Sequence, residues 1–297
     1  MDNPRILLTN DDGIDASGLL ALKQGLADVG TVTAVAPDRN MSGAGRALSL
    51  GRPQALSGDL SIDVHDGGDG FSFDVPYTRH DNGYAVNGTP CDCVVGGHSL
   101  GATPDIVVSG CNPGANTGRY TVSRSGTVSA AMEGALLGTP SLAVSMDTLD
   151  SRRDLTAEDF GRASRLTATL VERALEHGVF SAVDFLNVSI PHPDEPVEGV
   201  AVTRPDARYG LEAAEGGESS FRIRAAKPDE NAGDFDPDAT PTDRAALARN
   251  FVAVSPFRLP TEPTRTEAVD TLTRDLSAAF GGTEATDHTS DPASERF

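Results

Sequence analysis

The sequence is poor in basic residues and contains no tryptophan. Its 24 lysines and arginines stand against 44 aspartates and glutamates, which gives a formal net charge of −20. Such a chain repels nucleic-acid phosphates, so we exclude a broad basic binding surface and do not expect duplex DNA as a partner. No apolar run is long enough to span a bilayer, and the N-terminus has no charged-then-apolar leader. We therefore expect a cytoplasmic protein without a membrane partner.

Lysine is especially scarce. It occurs only at Lys23 and Lys227, every other basic residue is arginine, and aspartate outnumbers glutamate. This bias is typical of proteins from halophiles, in which short carboxylate side chains keep the surface hydrated in concentrated salt. An ordinary acidic protein is the alternative. In a halophile, self-repulsion of the surface is screened only at high salt.

Cysteine is also rare. Cys91, Cys93 and Cys111 are odd in number and lie in apolar or glycine-rich surroundings. Both features fit reduced thiols better than a disulfide framework. Cys91 and Cys93 lack a second cysteine pair, so they make a poor zinc site.

Apolar runs alternate with helical periodicity through the first two thirds of the chain. The pattern predicts strands at residues 5–9, 31–36, 106–109, 141–146 and 185–190, and helices at residues 17–29, 127–137 and 157–176. The strands are continuously apolar, as expected where helices cover both faces of a parallel sheet. We therefore predict an α/β fold with a Rossmann-like three-layer core and a mostly parallel sheet.

The domain prediction follows these changes of pattern. Residues 1–195 form the catalytic core, in which the glycine-rich segment 48–84 is an inserted hairpin or flap. Residues 196–280 form a C-terminal extension with antiparallel strands at 200–203, 221–224 and 251–255 and a closing helix at 267–280. Residues 281–297 are predicted to be a disordered tail.

Polar residues follow three of the predicted strands. Asp11 and Asp12 come after the first strand, Ser42 after the second, and Asn112 after residues 106–109. Ligands of an open parallel sheet bind outside the carboxyl ends of its strands. Two adjacent carboxylates repel each other there unless a cation lies between them, and this oxygen set suits Mg²⁺ or Mn²⁺ better than zinc. Turn and N-cap roles are the alternative for each residue taken alone.

Two further features indicate phosphate binding. Ser125, Gly126 and Thr127 open a predicted helix, where free N–H groups and the helix dipole favour an anion; a plain N-cap is the alternative. Asn116 lies in a glycine-containing loop that lets the backbone approach a ligand. A dinucleotide-binding glycine motif fails, because Leu48 stands at its third glycine position.

These residues lie in motif blocks that resemble the SurE family of metal-dependent 5'/3'-nucleotidases. The blocks are ILLTNDDGIDASGL, VAPDRNMSGAG, VNGTPCDCV, VVSGCNPGANTG and SGTVSAAMEG, in that order. FLNVSIP, VTRPDARYG and NFVAVSPF extend the match. Arg124 departs from the family, which often has tyrosine before Ser-Gly-Thr.

The resemblance implies a Rossmann-like core and one divalent metal ion per subunit at Asp11, Asp12, Ser42 and Asn112. It implies hydrolysis of nucleoside 5'- and 3'-monophosphates, with Asp11 and Asp12 as the catalytic residues. It also implies a C-terminal arm exchanged within a homodimer or homotetramer. A broader phosphomonoesterase, a short-chain exopolyphosphatase and a non-catalytic nucleotide sensor are the alternatives.

Overall fold

The computed structural model describes residues 3–49, 62–64, 71–101, 103–148, 155–217, 219–225, 236, 240–259 and 271. The predicted closing helix at 267–280, apart from residue 271, and the predicted tail at 281–297 lie outside these ranges. In the described part of the chain, no helix is both long and apolar enough to cross a membrane.

Strands and helices alternate through the described residues. The strands are β1 (Arg5–Thr9), β2 (Thr31–Pro37), β3 (Ile62–Val64), β4 (Phe71–Phe73), β5 (Tyr77–His80), β6 (Gly83–Val86), β7 (Ile106–Pro113), β8 (Ser141–Met146), β9 (Phe185–Ile190), β10 (Gly199–Val202), β11 (Leu211–Glu215), β12 (Phe221–Ala225) and β13 (Phe251–Phe257). The helices are α1 (Ser17–Leu26), α2 (Pro90–Leu100), α3 (Gly118–Val122), α4 (Gly126–Leu136), α5 (Gly161–Glu176) and α6 (Asp243–Leu247), with a 3₁₀ turn at Val179–Ser181.

One large sheet organises the described residues, with nine strands in the order β10-β13-β9-β8-β7-β1-β2-β6-β5. Neighbouring strands from β9 to β6 run parallel, whereas β5 pairs antiparallel with β6 and β13 pairs antiparallel with β9. The chain moves outward from β1 to β2 and later returns to the other side of β1 with β7. The order therefore reverses at β1, where an open α/β sheet forms its ligand crevice.

Helices cover both faces of this sheet. Ile6 and Leu8 of β1 pack in the same buried cluster as Leu19 and Leu22 of α1. Leu7, between them, points to the other face and joins a cluster that contains Val94 of α2 and Ala130 of α4. Because successive strand residues face opposite sides, the unbroken apolar run of β1 has a buried contact for each residue. The predicted three-layer α/β fold with a mostly parallel sheet is confirmed.

Several boundaries differ from the sequence-based expectation. Helix α1 ends at Leu26 rather than residue 29, because the N–H groups of Val29 and Gly30 both donate to the Leu26 carbonyl in a turn. Helix α5 begins at Gly161 rather than residue 157, since the Asp159 side chain holds Thr156 in a turn. Strand β7 continues from Ile106 to Pro113, so Asn112 lies in the strand rather than in a following loop.

The C-terminal strands also differ in part. The pair β11–β12 forms the expected antiparallel extension. The assignment of residues 200–203 and 251–255 to that extension is wrong, because β10 pairs in parallel with β13 and both belong to the large sheet. Within segment 48–84, β3 and β4 pair with each other, whereas β5 reaches the large sheet by pairing with β6. The domain boundaries given above stay predictions.

Candidate active site

Asp11 and Asp12 lie directly after β1, at the carboxyl edge where the strand order reverses. Asn10 sets up the turn that presents them: its side-chain amide donates to the Gly13 carbonyl at 3.0 Å and accepts from the Gly13 N–H at 3.1 Å. Gly13 has φ +113°, a value that side chains disfavour. The chain therefore reverses sharply and leaves both carboxylates at the strand end.

Asp11 is buried, with 4% of its surface exposed. Its Oδ1 accepts a hydrogen bond of 2.7 Å from the Thr127 hydroxyl, in the first turn of α4. Gly126 allows this approach, because a Cβ at that position would lie 2.7 Å from Asp11 Oδ2. Burial raises the pKa of Asp11, and the Thr127 hydrogen bond opposes that rise. The first loop and the start of α4 thus form one unit.

Asp12 is partly exposed, but its Oδ2 is buried and has no hydrogen-bond partner among the described residues. Its Oδ1 accepts from the Asn40 side chain at 3.3 Å. Burial, followed by the charge of Asp11, raises the pKa of Asp12 to about 7. Two neighbouring carboxylates therefore carry negative charge that the surrounding donors only partly compensate.

The loop after β2 is fastened to this pair. The Met41 N–H donates to the Asp11 carbonyl at 2.6 Å, and the Ser42 N–H donates to the Asn40 side-chain oxygen at 2.8 Å. Asn40 thereby joins Ser42 to Asp12. The Ser42 residue is exposed at the mouth of the site. Asn40 was missed from the sequence, although it lies two residues before Ser42 in the same polar loop.

Asn112 lies near the end of β7, the strand beside β1. Its side-chain nitrogen donates to the Gly114 carbonyl at 2.6 Å, which leaves the amide oxygen as the available ligand atom. Burial, and then the charge of Asp12, raises the pKa of the adjacent Cys111 thiol.

The residues at this edge fit a hard divalent cation. Asp12 Oδ2 is a buried acceptor without a donor, and the two carboxylates repel each other. Across the described ranges, no three histidine, cysteine, aspartate or glutamate side chains come together as a metal cluster. The donors are two carboxylates and neutral oxygens, a set that suits Mg²⁺ or Mn²⁺ rather than zinc.

The start of α4 has the features of an anion site. Ser125 is its N-cap, and its hydroxyl oxygen accepts from the Val128 N–H at 3.2 Å. Gly126 and Thr127 are the first two helical residues, where backbone N–H groups lack helical partners. The Thr127 hydroxyl already donates to Asp11, so its side chain holds the carboxylate. This contact joins residues 116 positions apart, so no local sequence pattern predicts it.

Asn116 is buried in the loop between β7 and α3, with 6% of its surface exposed. Its N–H donates to the Ser145 hydroxyl at 3.1 Å, and its carbonyl accepts from the Asn187 side chain at 2.9 Å. Its side-chain nitrogen is buried without a partner among the described residues. Ser145 and Asn187 thus fix the backbone of a residue that keeps an unused donor. Both supporting residues were missed, because they lie in strands that read as ordinary core.

Comparison with known proteins now adds the family. A family model described as "Survival protein SurE" matches residues 6–211. The chain belongs to the SurE family. Within it, the chain is 43% identical over 274 residues to 5'-nucleotidase SurE from Halobacterium salinarum, covering 91% of this chain and 96% of that protein. It is 39% identical to 5'-nucleotidase SurE from Nitrosomonas europaea, covering 86% and 93%.

A solved structure supports the same SurE assignment. The crystal structure of SurE protein from Aquifex aeolicus superposes with a TM-score of 0.66 at 28% sequence identity. It covers 93% of this chain and 100% of the Aquifex chain. The SurE family match begins at Ile6 in β1 and ends at Leu211 in β11, so it includes each of the proposed site residues.

Proposed function

We propose that this SurE-family protein hydrolyses nucleoside 5'- and 3'-monophosphates to nucleoside and phosphate, with one Mg²⁺ or Mn²⁺ bound per subunit. The observation that carries the proposal is the incompletely compensated Asp11–Asp12 pair, held by Thr127 against the start of α4. Relatives named 5'-nucleotidase SurE, similar over most of the chain, support the substrate class.

In this proposal, Asp11, Asp12, Ser42 and Asn112 hold the metal ion. When bound, the ion supplies a Lewis acid that neutralises phosphoryl charge and acidifies water. One of the two carboxylates accepts the proton of the attacking water; since both titrate as a unit, either can take that role. The P–O ester bond then breaks, the leaving oxygen takes up the proton from that carboxyl group, and the nucleoside leaves with its hydroxyl.

The remaining phosphate oxygens contact the chain itself. The Gly126 N–H and the Ser125 hydroxyl bind them at the positive end of α4, while Thr127 holds Asp11 beside them. The side-chain nitrogen of Asn116, buried without a partner in the described structure, is a further donor for the same anion. Donors fixed before substrate arrives stabilise the developing charge without further reorganisation.

A substrate panel tests this function. Phosphate release is measured with Mn²⁺, and with chelator, on AMP, GMP, a non-nucleotide phosphate ester and tripolyphosphate. We expect the nucleotides to be hydrolysed fastest and chelator to abolish release. Equal rates on all esters would make the protein a broad phosphomonoesterase, and fastest release from tripolyphosphate would make it a short-chain exopolyphosphatase. Nucleotide binding without release would make it a sensor.

We also propose self-association as a homodimer or homotetramer through the C-terminal extension. Phe221 and Ile223 lie two positions apart on β12, so they share a face of the strand, and they are 72% and 61% exposed. Large apolar side chains grouped on a surface mark an interaction site. Light scattering should show that replacing Phe221 and Ile223 by aspartate yields monomers. An unchanged oligomer would contradict this assignment.

We propose a halophilic protein, which the acidic composition supports, and a cytoplasmic one, which the free cysteines support. Relatives with the same family name come from Halobacterium salinarum and Haloarcula marismortui, and the three cysteines are buried and free. Screening of a net charge of −20 should raise the melting temperature substantially between low salt and about 2 M KCl. A flat profile would contradict the halophile assignment.

A further inference from the structure

Three planar side chains stack beside the proposed phosphate site. The Tyr120 ring, on α3, lies parallel to the Tyr209 ring, with centroids 3.8 Å apart and an interplanar angle of 11°. The guanidinium carbon of Arg124 lies 3.7 Å from the centroid of Tyr120. The Tyr209 ring and this guanidinium must occupy opposite faces of Tyr120, because two groups cannot fill the same space above one ring. The order is Tyr209, Tyr120, Arg124.

A buried carboxylate holds the two segments of this stack together. Asp243, 1% exposed, accepts from the Gly118 N–H at 2.8 Å and from the Asp206 N–H at 3.0 Å. Gly118 begins α3, which carries Tyr120, and Asp206 lies three residues before Tyr209. The Arg119 N–H also donates to the Asp206 carbonyl at 2.8 Å. The stack is therefore built on a fixed junction of main chain.

Arg124 joins the stack to the chain segment that opens α4. It immediately precedes Ser125, the N-cap of α4. A Cβ added to Gly45, in the loop that carries Ser42, would lie 3.5 Å from the Arg124 carbonyl. The Arg124 side chain is exposed and donates to the Ser123 hydroxyl at 3.3 Å. Since Tyr120 covers one face of the guanidinium, the opposite face is the one available to a ligand.

We propose that the outer face of the Arg124 guanidinium stacks against the base of the nucleotide substrate. The inference rests on the proposed function, because it assumes that phosphate binds at Asp11, Asp12 and the start of α4. Tyr120 and Tyr209 are positioning residues that hold the guanidinium plane. The substrates favoured are nucleotides over sugar phosphates, and purine nucleotides over pyrimidine nucleotides, since a purine offers the larger face.

The chemistry of the stack suits a base better than a second phosphate contact. Arginine keeps its charge, is planar and weakly hydrated, and stacks on aromatic surfaces. Nucleobases are recognised by stacking on aromatic rings and on guanidinium planes. Stacking depends less on ionic strength than a contact between exposed charges, which high salt screens. This interaction therefore suits an acidic protein that works in concentrated salt.

AMP and ribose 5-phosphate form the test pair, because they share the ribose phosphate and differ in the base. In Arg124→Leu we expect the ratio of kcat/KM for AMP to that for ribose 5-phosphate to fall about tenfold, through a higher KM for AMP. Arg119→Leu is the matched control: it removes an exposed arginine of α3, which lies outside the stack, and should leave this ratio unchanged.

A second pair of variants tests the positioning role. Tyr209→Leu removes the outer ring and should lower the ratio about threefold, whereas Tyr209→Phe keeps the ring and should retain the ratio. Equal losses on both substrates in Arg124→Leu would show that Arg124 serves the phosphate and would overturn the inference. An unchanged ratio would overturn it as well. Failure of wild-type protein to release phosphate from AMP would instead contradict the proposed function.

Discussion

Two sets of carboxylates in this molecule differ in how their charge is compensated. Asp92, 5% exposed at the start of α2, accepts four hydrogen bonds: from the N–H and hydroxyl of Ser49, at 3.0 and 2.5 Å, and from the N–H and hydroxyl of Thr89, at 2.7 and 3.0 Å. Asp11 accepts from the Thr127 hydroxyl, and backbone hydrogen bonds of Asp11 and Thr127 also oppose the rise of its pKa. Asp12 accepts from Asn40 by one oxygen, and its other oxygen has no partner among the described residues.

This difference distinguishes a carboxylate with a structural role, Asp92, from the Asp11–Asp12 pair, for which we propose a function. Asp92 completes a capping box with Thr89 and anchors the loop that leads from Ser42 to Ser49, so the protein itself satisfies its charge. Asp243 is similar, since it accepts from three backbone N–H groups, those of Gly118, Asp206 and Arg244. A buried carboxylate that lacks such donors is costly unless a ligand compensates it. In the Asp11–Asp12 pair the uncompensated group is Asp12 Oδ2, and this is the charge that the proposed cation would compensate.

Removal of one charge from the Asp11–Asp12 pair should have the largest effect on phosphate release. Asp11→Asn keeps the shape of the side chain but removes half of the charge proposed to hold the metal, so phosphate release from AMP should fall about a hundredfold or more. Release is measured against Mn²⁺ concentration. Asp28→Asn, at an exposed position, is the matched control and should retain activity. Full activity in Asp11→Asn would contradict the metal-site assignment.

Asn112→Ala should have a smaller effect on the same assay. It removes a neutral oxygen that water can replace, so we expect a loss of roughly tenfold to a hundredfold. Because the defect is in metal affinity, higher Mn²⁺ should recover part of the activity. A loss that Mn²⁺ does not relieve would show that Asn112 acts on the substrate rather than on the metal.

Much of the sheet could be predicted because its information is local. Strands β1, β8 and β9 have the predicted bounds, since each is a mainly apolar segment bounded by polar or turn residues. Which strand pairs with which, in contrast, cannot be predicted from the local sequence. Val200 and Val252 have similar apolar surroundings in the sequence, yet their parallel pairing joins positions 52 residues apart and places both in the large sheet.

The candidate site shows the same division. Asp11, Asp12 and Ser42 were predicted because they follow strands, and strand ends meet at one edge of a parallel sheet. Thr127 was predicted as a phosphate-binding residue, whereas in the structure its hydroxyl donates to Asp11. The bond of Ser49 to Asp92 crosses 43 residues and has no periodic pattern. Distant side-chain contacts of this kind require the folded structure.

Replacing Asp92, whose carboxylate accepts four hydrogen bonds, should lower the stability of the protein. Asp92→Asn replaces an acceptor by an amide that directs N–H groups at Ser49 or Thr89, so buried donors lose their partner. We expect the free energy of unfolding to fall by about 2 kcal/mol. Chemical denaturation in chelator and about 2 M KCl measures it, with Asp28→Asn again as control. Stability equal to wild type would contradict the view that Asp92, unlike the Asp11–Asp12 pair, has a structural role.

The smallest expected effect is opposite in sign and concerns Asp12 without metal. Folding raises the pKa of Asp12 from 3.8 to about 7, so between these values the folded protein binds its proton more tightly than the unfolded chain. The contribution of Asp12 to stability is therefore greatest at low pH and is lost as pH rises from about 4 to about 7. Asp12→Asn cannot ionise, and so it should remove this dependence.

The measurement is the difference in melting temperature between Asp12→Asn and wild type, in chelator and about 2 M KCl, from pH 5 to pH 7.5. Because both proteins share their surface carboxylates, the difference isolates the buried pair, whose repulsion salt screens less than that of exposed charges. We expect the variant to gain on wild type as pH rises, reaching about 3 °C near pH 7.5. With saturating Mn²⁺ the order should reverse, since wild type then gains binding energy that the variant lacks. A difference that stays constant with pH would show that the protein already compensates Asp12, as it does Asp92, and the distinction between the two sets of carboxylates would fail.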